Sequence, residues 1–320
     1  MRTSKKNAII IAGIMIVAGL VISVGAMAVR GFDFTTINTV SFVTNTYTID
    51  EEFSNISING DECDVRLLPS EDESCKVVCY ENDKVYHSVE VKDDTLTIER
   101  HDNRKWYEYI GVYWRNMEIK VYLPEKEYTS LYAKNQSGDI VIPENFSFDS
   151  ADVQSTSGGI NFTASVKGEL STKTTSGELY VGKTTPSKLN AQSKSGELAI
   201  EDVTVQETIT FNATSGDVEL SGIKCKSITG GTTSGGVDFS DVITSENISI
   251  ECSSGDVELY KCDADSLWLQ TKSGNVSGTF LTEKIFLTDT SSGEVYAPHS
   301  ASGGKCEITT TSGDIECHIE

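Results

Sequence analysis

The chain has 320 residues, 38% hydrophobic and 23% charged, with 26 basic and 48 acidic side chains for a formal net charge of −22. That excess of negative charge repels phosphate backbones and anionic headgroups, which excludes nucleic acid as a partner. Five prolines and a globular share of apolar residues set the chain apart from disordered ones.

The predicted elements run as follows. Residues 1–7, with Arg2, Lys5 and Lys6, read as a cytoplasmic tail. From Ala8 to Val29 the sequence is an unbroken apolar run, AIIIAGIMIVAGLVISVGAMAV. As a helix it would reach roughly 33 Å, the depth of a bilayer core, so residues 8–29 are predicted to be a transmembrane signal-anchor. The preceding basic residues keep the N-terminus cytoplasmic and export the remainder. Ala26-Met27-Ala28 also fits a small-x-small cleavage site, so secretion after cleavage following Ala28 is the alternative. The run exceeds the h-region of about 7–15 residues expected of a cleaved peptide, which favours the uncleaved anchor. Residues 30–46 read as a polar tether.

Residues 47–130 show strand patterning without a repeat: Phe53-Ser-Asn-Ile-Ser-Ile, Asp64-Val-Arg-Leu-Leu, Lys76-Val-Val-Cys-Tyr, Val89-Glu-Val, Thr95-Leu-Thr-Ile and Met117-Glu-Ile-Lys-Val-Tyr-Leu-Pro. Asn59-Gly60 and Asp93-Asp94 mark turns. These strands are expected to be irregular first coils that cap one end against strand addition.

From residue 131 to 320 a Ser-Gly pair recurs ten times, at Ser137, Ser157, Ser176, Ser195, Ser215, Ser234, Ser254, Ser273, Ser292 and Ser312, always 19 or 20 residues apart. Before each pair, positions −6, −4 and −2 face one way, as in Ile209/Phe211/Ala213 and Ile248/Ile250/Cys252. After it, +3 and +5 are apolar, as in Val218/Leu220 and Val257/Leu259, and +8 collects Val203, Ile223, Val242, Cys262 and Leu281. Period-two alternation is the strand signal. One unit has too little apolar area to fold alone, so units must stack and share a core. The fold class is all-β: a β-solenoid, parallel β-helix-like, of about ten coils, with irregular N-terminal strands and one preceding transmembrane helix. The glycine present in all ten copies predicts a corner with φ > 0. The small, mostly hydroxylated residues at −2 are expected to stack just inside that corner.

Eight cysteines occur without any C-x-x-C pair, so zinc-ribbon and thioredoxin chemistry have no support. Most of the later ones fall on inward positions, where buried thiols are expected rather than a disulfide framework. The four histidines, His87, His101, His299 and His318, are scattered without metal-ligand spacing; neither a metal nor a cofactor is predicted.

Asp64-Val-Arg-Leu-Leu-Pro-Ser, Asp94-Thr-Leu-Thr-Ile, Ile119-Lys-Val-Tyr-Leu-Pro and Leu131 through Ser137-Gly-Asp-Ile140, followed by the serial Ser-Gly-Asp/Glu copies, resemble the putative-adhesin domains of unknown function on bacterial envelopes, including the LiaG-like membrane proteins. The resemblance covers essentially everything after the anchor. It implies a β-solenoid at the cell surface and defines no activity.

Two groups of residues are candidate contacts. The aromatic cluster Trp106, Tyr107, Tyr109, Tyr113 and Trp114 suits sugar stacking or a protein interface, or alternatively covers the open end of the core. Trp268 lies on the predicted outer face, where it and Leu287 are expected to form a small apolar strip. Acidic residues follow seven of the ten Ser-Gly pairs. Asp217, Glu219, Asp256, Glu258, Asp314 and Glu316 form an edge that either holds cations weakly or keeps a repetitive β protein soluble. No nucleophile elbow or nucleotide fingerprint occurs, and no glycosidase dyad can be singled out among so many carboxylates. The expected function is a membrane-anchored, extracytoplasmic, non-enzymatic binding module for an envelope polymer or protein. The alternatives are an accessory part of an envelope-stress signalling system and a polysaccharide-active β-helix enzyme.

Overall fold

The computed structural model describes residues 2–29, 42–106 and 117–320. They divide into two compact units: one holds helix α1 (Arg2–Val29), Phe42 and residues 103–106, the other holds residues 43–102 and 117–320. Among the residues whose side chains the structure describes, no helix is long and apolar enough to cross a membrane; in α1 these run unbroken only from 15 to 25.

The second unit is a β-solenoid. Each Ser-Gly coil supplies one strand before the corner and one after it, and equivalent strands of successive coils pair in parallel and in register. Leu189 lies beside Ile209, Ile209 beside Ile228, and Ile228 beside Ile248. The alternating residues follow the predicted faces: Leu189, Ile209, Phe211, Ile248, Ile250, Val218, Leu220, Val257 and Leu259 are all buried, and Val203, Ile223, Val242 and Cys262 fill the third inward row. Leu281, assigned to that row, is 39% exposed.

The corner glycines are required by closeness more than by φ. Gly138 (φ 102°) and Gly196 (φ 131°) occupy the left-handed region, but this is not common to every copy. What the corners share is a column in which a Cβ on one glycine would collide with a backbone carbonyl one coil away, that of Cys63 for Gly138 and that of another corner glycine for the rest. Strands about 4.8 Å apart can bring backbones together at a bend only where no side chain intervenes. The −2 residues line this column. Thr174, Thr271 and Thr310 are buried and donate their hydroxyls to the carbonyls of Gly158, Gly255 and Gly274.

The coils do not stack in chain order at either end. Strands β1 (Val43–Ile49), β2 (Asn55–Asp61), β3 (Asp64–Pro69), β4 (Cys75–Glu81), β5 (Val85–Lys92), β6 (Thr95–Asp102), β7 (Glu118–Leu123), β8 (Glu127–Ser137) and β9 (Ile140–Ile142) build the N-terminal end. The β2–β3 coil lies between β8–β9 and β6–β7, pairing in parallel with both. So residues 47–130, expected to be irregular, contribute two ordinary coils without Ser-Gly corners. Beyond them β5 pairs antiparallel with β6, β4 with β7, and β1 with β4. Strand β1 begins at Val43, inside the segment read as tether; residues 30–41 of that segment lie outside the described residues.

At the other end the Ser312 coil is inserted between the Ser273 and Ser292 coils. Leu267 pairs with Cys306 and Cys306 with Phe286; Val276 pairs with Ile315 and Ile315 with Val295. The Ser292 coil, next to last in sequence, is the outermost. Together the ten Ser-Gly coils and the two coils of β2–β3 and β6–β7 make a stack of about 55 Å at the ordinary strand spacing.

Candidate functional surface

The residue after each Ser-Gly emerges at the corner on the outside of the rod, and the parallel register places equivalent residues one coil apart. The aspartates here do local structural work. Asp139, Asp217, Asp256 and Asp314 each accept the backbone N–H of the equivalent residue in the neighbouring coil, from Gly159, Gly236, Asn275 and Glu294 at 2.7–2.8 Å. Asn275 accepts from Asp314 N–H in the same way at 2.9 Å. Gly159, Gly236 and Asn275, which interrupt the acidic series in the sequence, are therefore the backbone donors of three of these bonds. An aspartate reaches a backbone one strand away, which gives Asp and Asn their place at these corners.

A second acidic row stands two residues on: Glu219, Asp238 and Glu258 are direct neighbours on three successive coils, then Ser277 intervenes before Glu316. Unit charges at this spacing repel by roughly 1 kcal/mol in water and more at lower dielectric. The titration behaviour reflects that crowding. Glu197 is held above the ordinary carboxylate range chiefly by Glu219, with partial burial, Glu178 and Asp217 adding to it. Asp238 is pushed the same way by desolvation and by Glu258, Glu219, Asp217 and Asp256. The two rows thus converge on the Ser195, Ser215, Ser234 and Ser254 coils as one negative patch.

Of the aromatic cluster, Trp106 is 78% exposed, while Tyr107, Tyr109, Tyr113 and Trp114 lie outside the described residues. Trp268 is 37% exposed on the outer face, as its position in the alternation requires. It does not meet Leu287. Its neighbours across the sheet are Ser249 and Glu307, and Glu307 separates it from Leu287 because the Ser312 coil has been inserted. The expected apolar strip is interrupted by a charge that is itself paired with Lys305 at 2.6 Å.

Sequence reasoning missed two buried polar sites. Lys284, 2% exposed, anchors the outermost coil: its ammonium donates to Asp263, to Ala264 O at 2.9 Å and to Thr282 Oγ1 at 2.7 Å. The other lies under the N-terminal end, where Cys63, Cys79, Glu81 and His87 are all buried. Their separation in the chain hid both sites; an isolated lysine or histidine in a β repeat carries no spacing signal. All eight cysteines are free thiols, and all but Cys225 are buried.

The family model described as Toastrack DUF4097 matches the chain twice, over residues 53–183 and 178–320. Among solved structures, a putative adhesin from Parabacteroides merdae is 14% identical, with 88% of this chain and 97% of that one covered and a TM-score of 0.52. A putative adhesin from Parabacteroides distasonis is 13% identical over 87% of this chain and 98% of the other, TM-score 0.50. At such identity the likeness is one of fold. No curated protein matches the chain.

Proposed function

The chain belongs to the Toastrack DUF4097 family, and from that premise we propose that it is a membrane-anchored binding module that presents its solenoid outside the cytoplasmic membrane to an envelope polymer or protein, without catalysing a reaction. The observation that carries the reading is the in-register display of like side chains on the rod. Glu219, Asp238 and Glu258 repeat at one-coil intervals beside Asp217 and Asp256, a periodic negative surface suited to a repetitive or multivalent cationic ligand. The adhesin names carried by the Parabacteroides structures accord with this role. Anchoring is supported by the apolar run from Ala8 to Val29 and by the side chains of α1. Met15, Ile16, Val17, Leu20, Val21, Ile22 and Val24 are exposed at positions that sample its whole circumference, a distribution that suits lipid better than water.

The test is co-sedimentation of the full chain with cell-wall and membrane fractions. Retention in the membrane after alkaline carbonate washing is expected. Capture of a wall polymer or envelope protein is expected to weaken at raised salt and to fall at least tenfold in the triple variant Glu219→Gln, Asp238→Asn, Glu258→Gln. Capture unaffected by that variant would move the contact to Trp106 and Trp268, tested by Trp106→Ala and Trp268→Ala. No capture in any fraction would overturn the proposal.

A further inference from the structure

At the N-terminal end of the solenoid, chain topology brings together donors from three separate segments. Cys63 lies in the turn between β2 and β3, Cys79 and Glu81 are on β4, and His87 is on β5; none is more than 3% exposed. Ligand atoms of Cys79, Glu81 and His87 all lie within 4.8 Å of one another. Cys63 Sγ stands 3.9 Å from His87 Nε2.

The carboxylate sets the chemistry of the imidazole. Glu81 Oε1 is 2.8 Å from His87 Nδ1 and also accepts the His87 backbone N–H at 2.7 Å. Oε2 accepts from Asn45 Nδ2 at 2.5 Å and from Tyr47 OH at 2.9 Å. With the carboxylate accepting the Nδ1 proton, the Nε2 lone pair stands toward the Cys63 thiol, and the Cys79 thiol lies within 4.8 Å of the ring. A carboxylate orienting a histidine whose second nitrogen faces thiolate donors is the arrangement that supports a bound metal. In a tetrahedral zinc complex, sulfur and nitrogen ligands stand about 3.5 Å apart, close to the Cys63–His87 separation. Arg100 is nearby, but its guanidinium is held by Asp61, Glu62 and Asp102, which offset its charge.

We propose that Cys63, Cys79 and His87 bind one thiophilic d10 metal ion, zinc(II) or copper(I), with Glu81 as the positioning residue. Two sulfurs and one imidazole select such ions over calcium or magnesium. Three protein donors satisfy a trigonal copper(I) ion, whereas zinc completes its tetrahedron with a water or a shifted Glu81 oxygen. Each thiol gives up its proton on binding, so uptake releases two protons per ion and weakens as pH falls. Because Cys63 belongs to the β2–β3 coil and the other donors to the antiparallel capping strands β4 and β5, the ion ties the cap to the stack.

The full chain, purified in detergent under reducing conditions and stripped with a chelator, is titrated anaerobically with cobalt(II), zinc(II) and copper(I) against chromophoric competitors. One equivalent should bind, with thiolate-to-cobalt charge transfer in the near ultraviolet and a raised Tm. Cys79→Ser and His87→Gln should weaken binding at least 100-fold, Glu81→Gln by about 10–100-fold, and Cys252→Ser not at all. Whichever of zinc and copper binds tighter identifies the ion. Should the site variants fail to fold, X-ray absorption of the wild-type metal complex still counts ligands, and two sulfurs with one imidazole are expected. Absence of stoichiometric binding, a spectrum without sulfur ligands, or affinity indifferent to Cys63, Cys79 and His87 would overturn the proposal. So would a Cys63–Cys79 disulfide in the chain isolated from its membrane with thiols blocked.

Discussion

The two ends of the solenoid solve the same problem in opposite ways. At the N-terminal end the last parallel coil, β6–β7, is covered by antiparallel strands, and its inward residues Leu96, Ile98, Ile119, Val121 and Leu123 are fully buried. At the C-terminal end the Ser292 coil has a neighbour on one side only. Its inward positions Phe286, Thr288 and Thr290 are half-buried, and Val295 is 46% exposed. The residues reflect the difference: Thr288 stands at −4, where most coils carry an apolar residue, and the apolar area exposed is correspondingly smaller. An end can be closed by added strands or left open if its inward face is polar enough for water. The second solution carries weaker coupling to the core, which Lys284 partly restores.

The comparison predicts how each end responds to damage. Ile98→Ala under the closed end should cost about 2–5 kcal/mol in urea denaturation. Val295→Ala at the open end should cost no more than about 0.5 kcal/mol. Equal losses would show that the Ser292 coil is covered in solution. Next in size, Lys284→Met removes the cation beside Asp263 and leaves the Ala264 carbonyl without its side-chain donor, and should cost about 2 kcal/mol. The loss should be local: hydrogen exchange should quicken over residues 284–296 while residues 304–319 stay protected.

A smaller effect separates two threonines with the same bond. Thr310 donates to Gly274 O at 3.1 Å and is buried, while Thr290 donates to Gly313 O at 3.0 Å where water can replace it. Thr310→Val should cost about 1–2 kcal/mol and Thr290→Val close to nothing. The smallest effect concerns the acidic patch midway between the ends. A carboxyl whose folded pKa is raised is a liability once ionised, and stability falls as pH rises through the window between its ordinary and its raised value. Asp238→Asn should therefore stabilise by a few tenths of a kcal/mol at pH 7, discounted for solvent exposure. The gain should vanish on acidification below the ordinary carboxylate range, and shrink in high salt. A gain that persists at low pH would trace to packing instead.

Several features were legible without coordinates. The coil length, the inward rows and the buried −2 column follow from the 19–20-residue spacing and its alternation, because side chains on a strand must alternate whatever surrounds them. The acidic edge was visible as a pattern, but its internal division was not. That aspartates bond to the next coil while Glu219 and Glu258 stand in an uncompensated row depends on which backbone lies one strand away. The aromatic residues were conspicuous by type alone, and adjacency misplaced Trp268 beside Leu287 because sequence order was taken for spatial order. Cys63, Cys79 and His87 gave no warning, since three segments meet there only after the chain has turned back on itself.

What the sequence determined by itself is the unit: strand, glycine corner, strand, with an interior of fixed polarity. What only the tertiary structure decided is the order in which units stack. Coils of equal length, with the same glycine corner and the same register, fit against one another almost interchangeably, so the local code cannot say which neighbour each takes. That choice falls to burial at the ends. Cys306, Ile308, Ile315 and Cys317 would be exposed if the Ser312 coil were outermost, whereas Phe286, Thr288 and Thr290 tolerate the edge better. The chain reaches past its own penultimate coil to bury them.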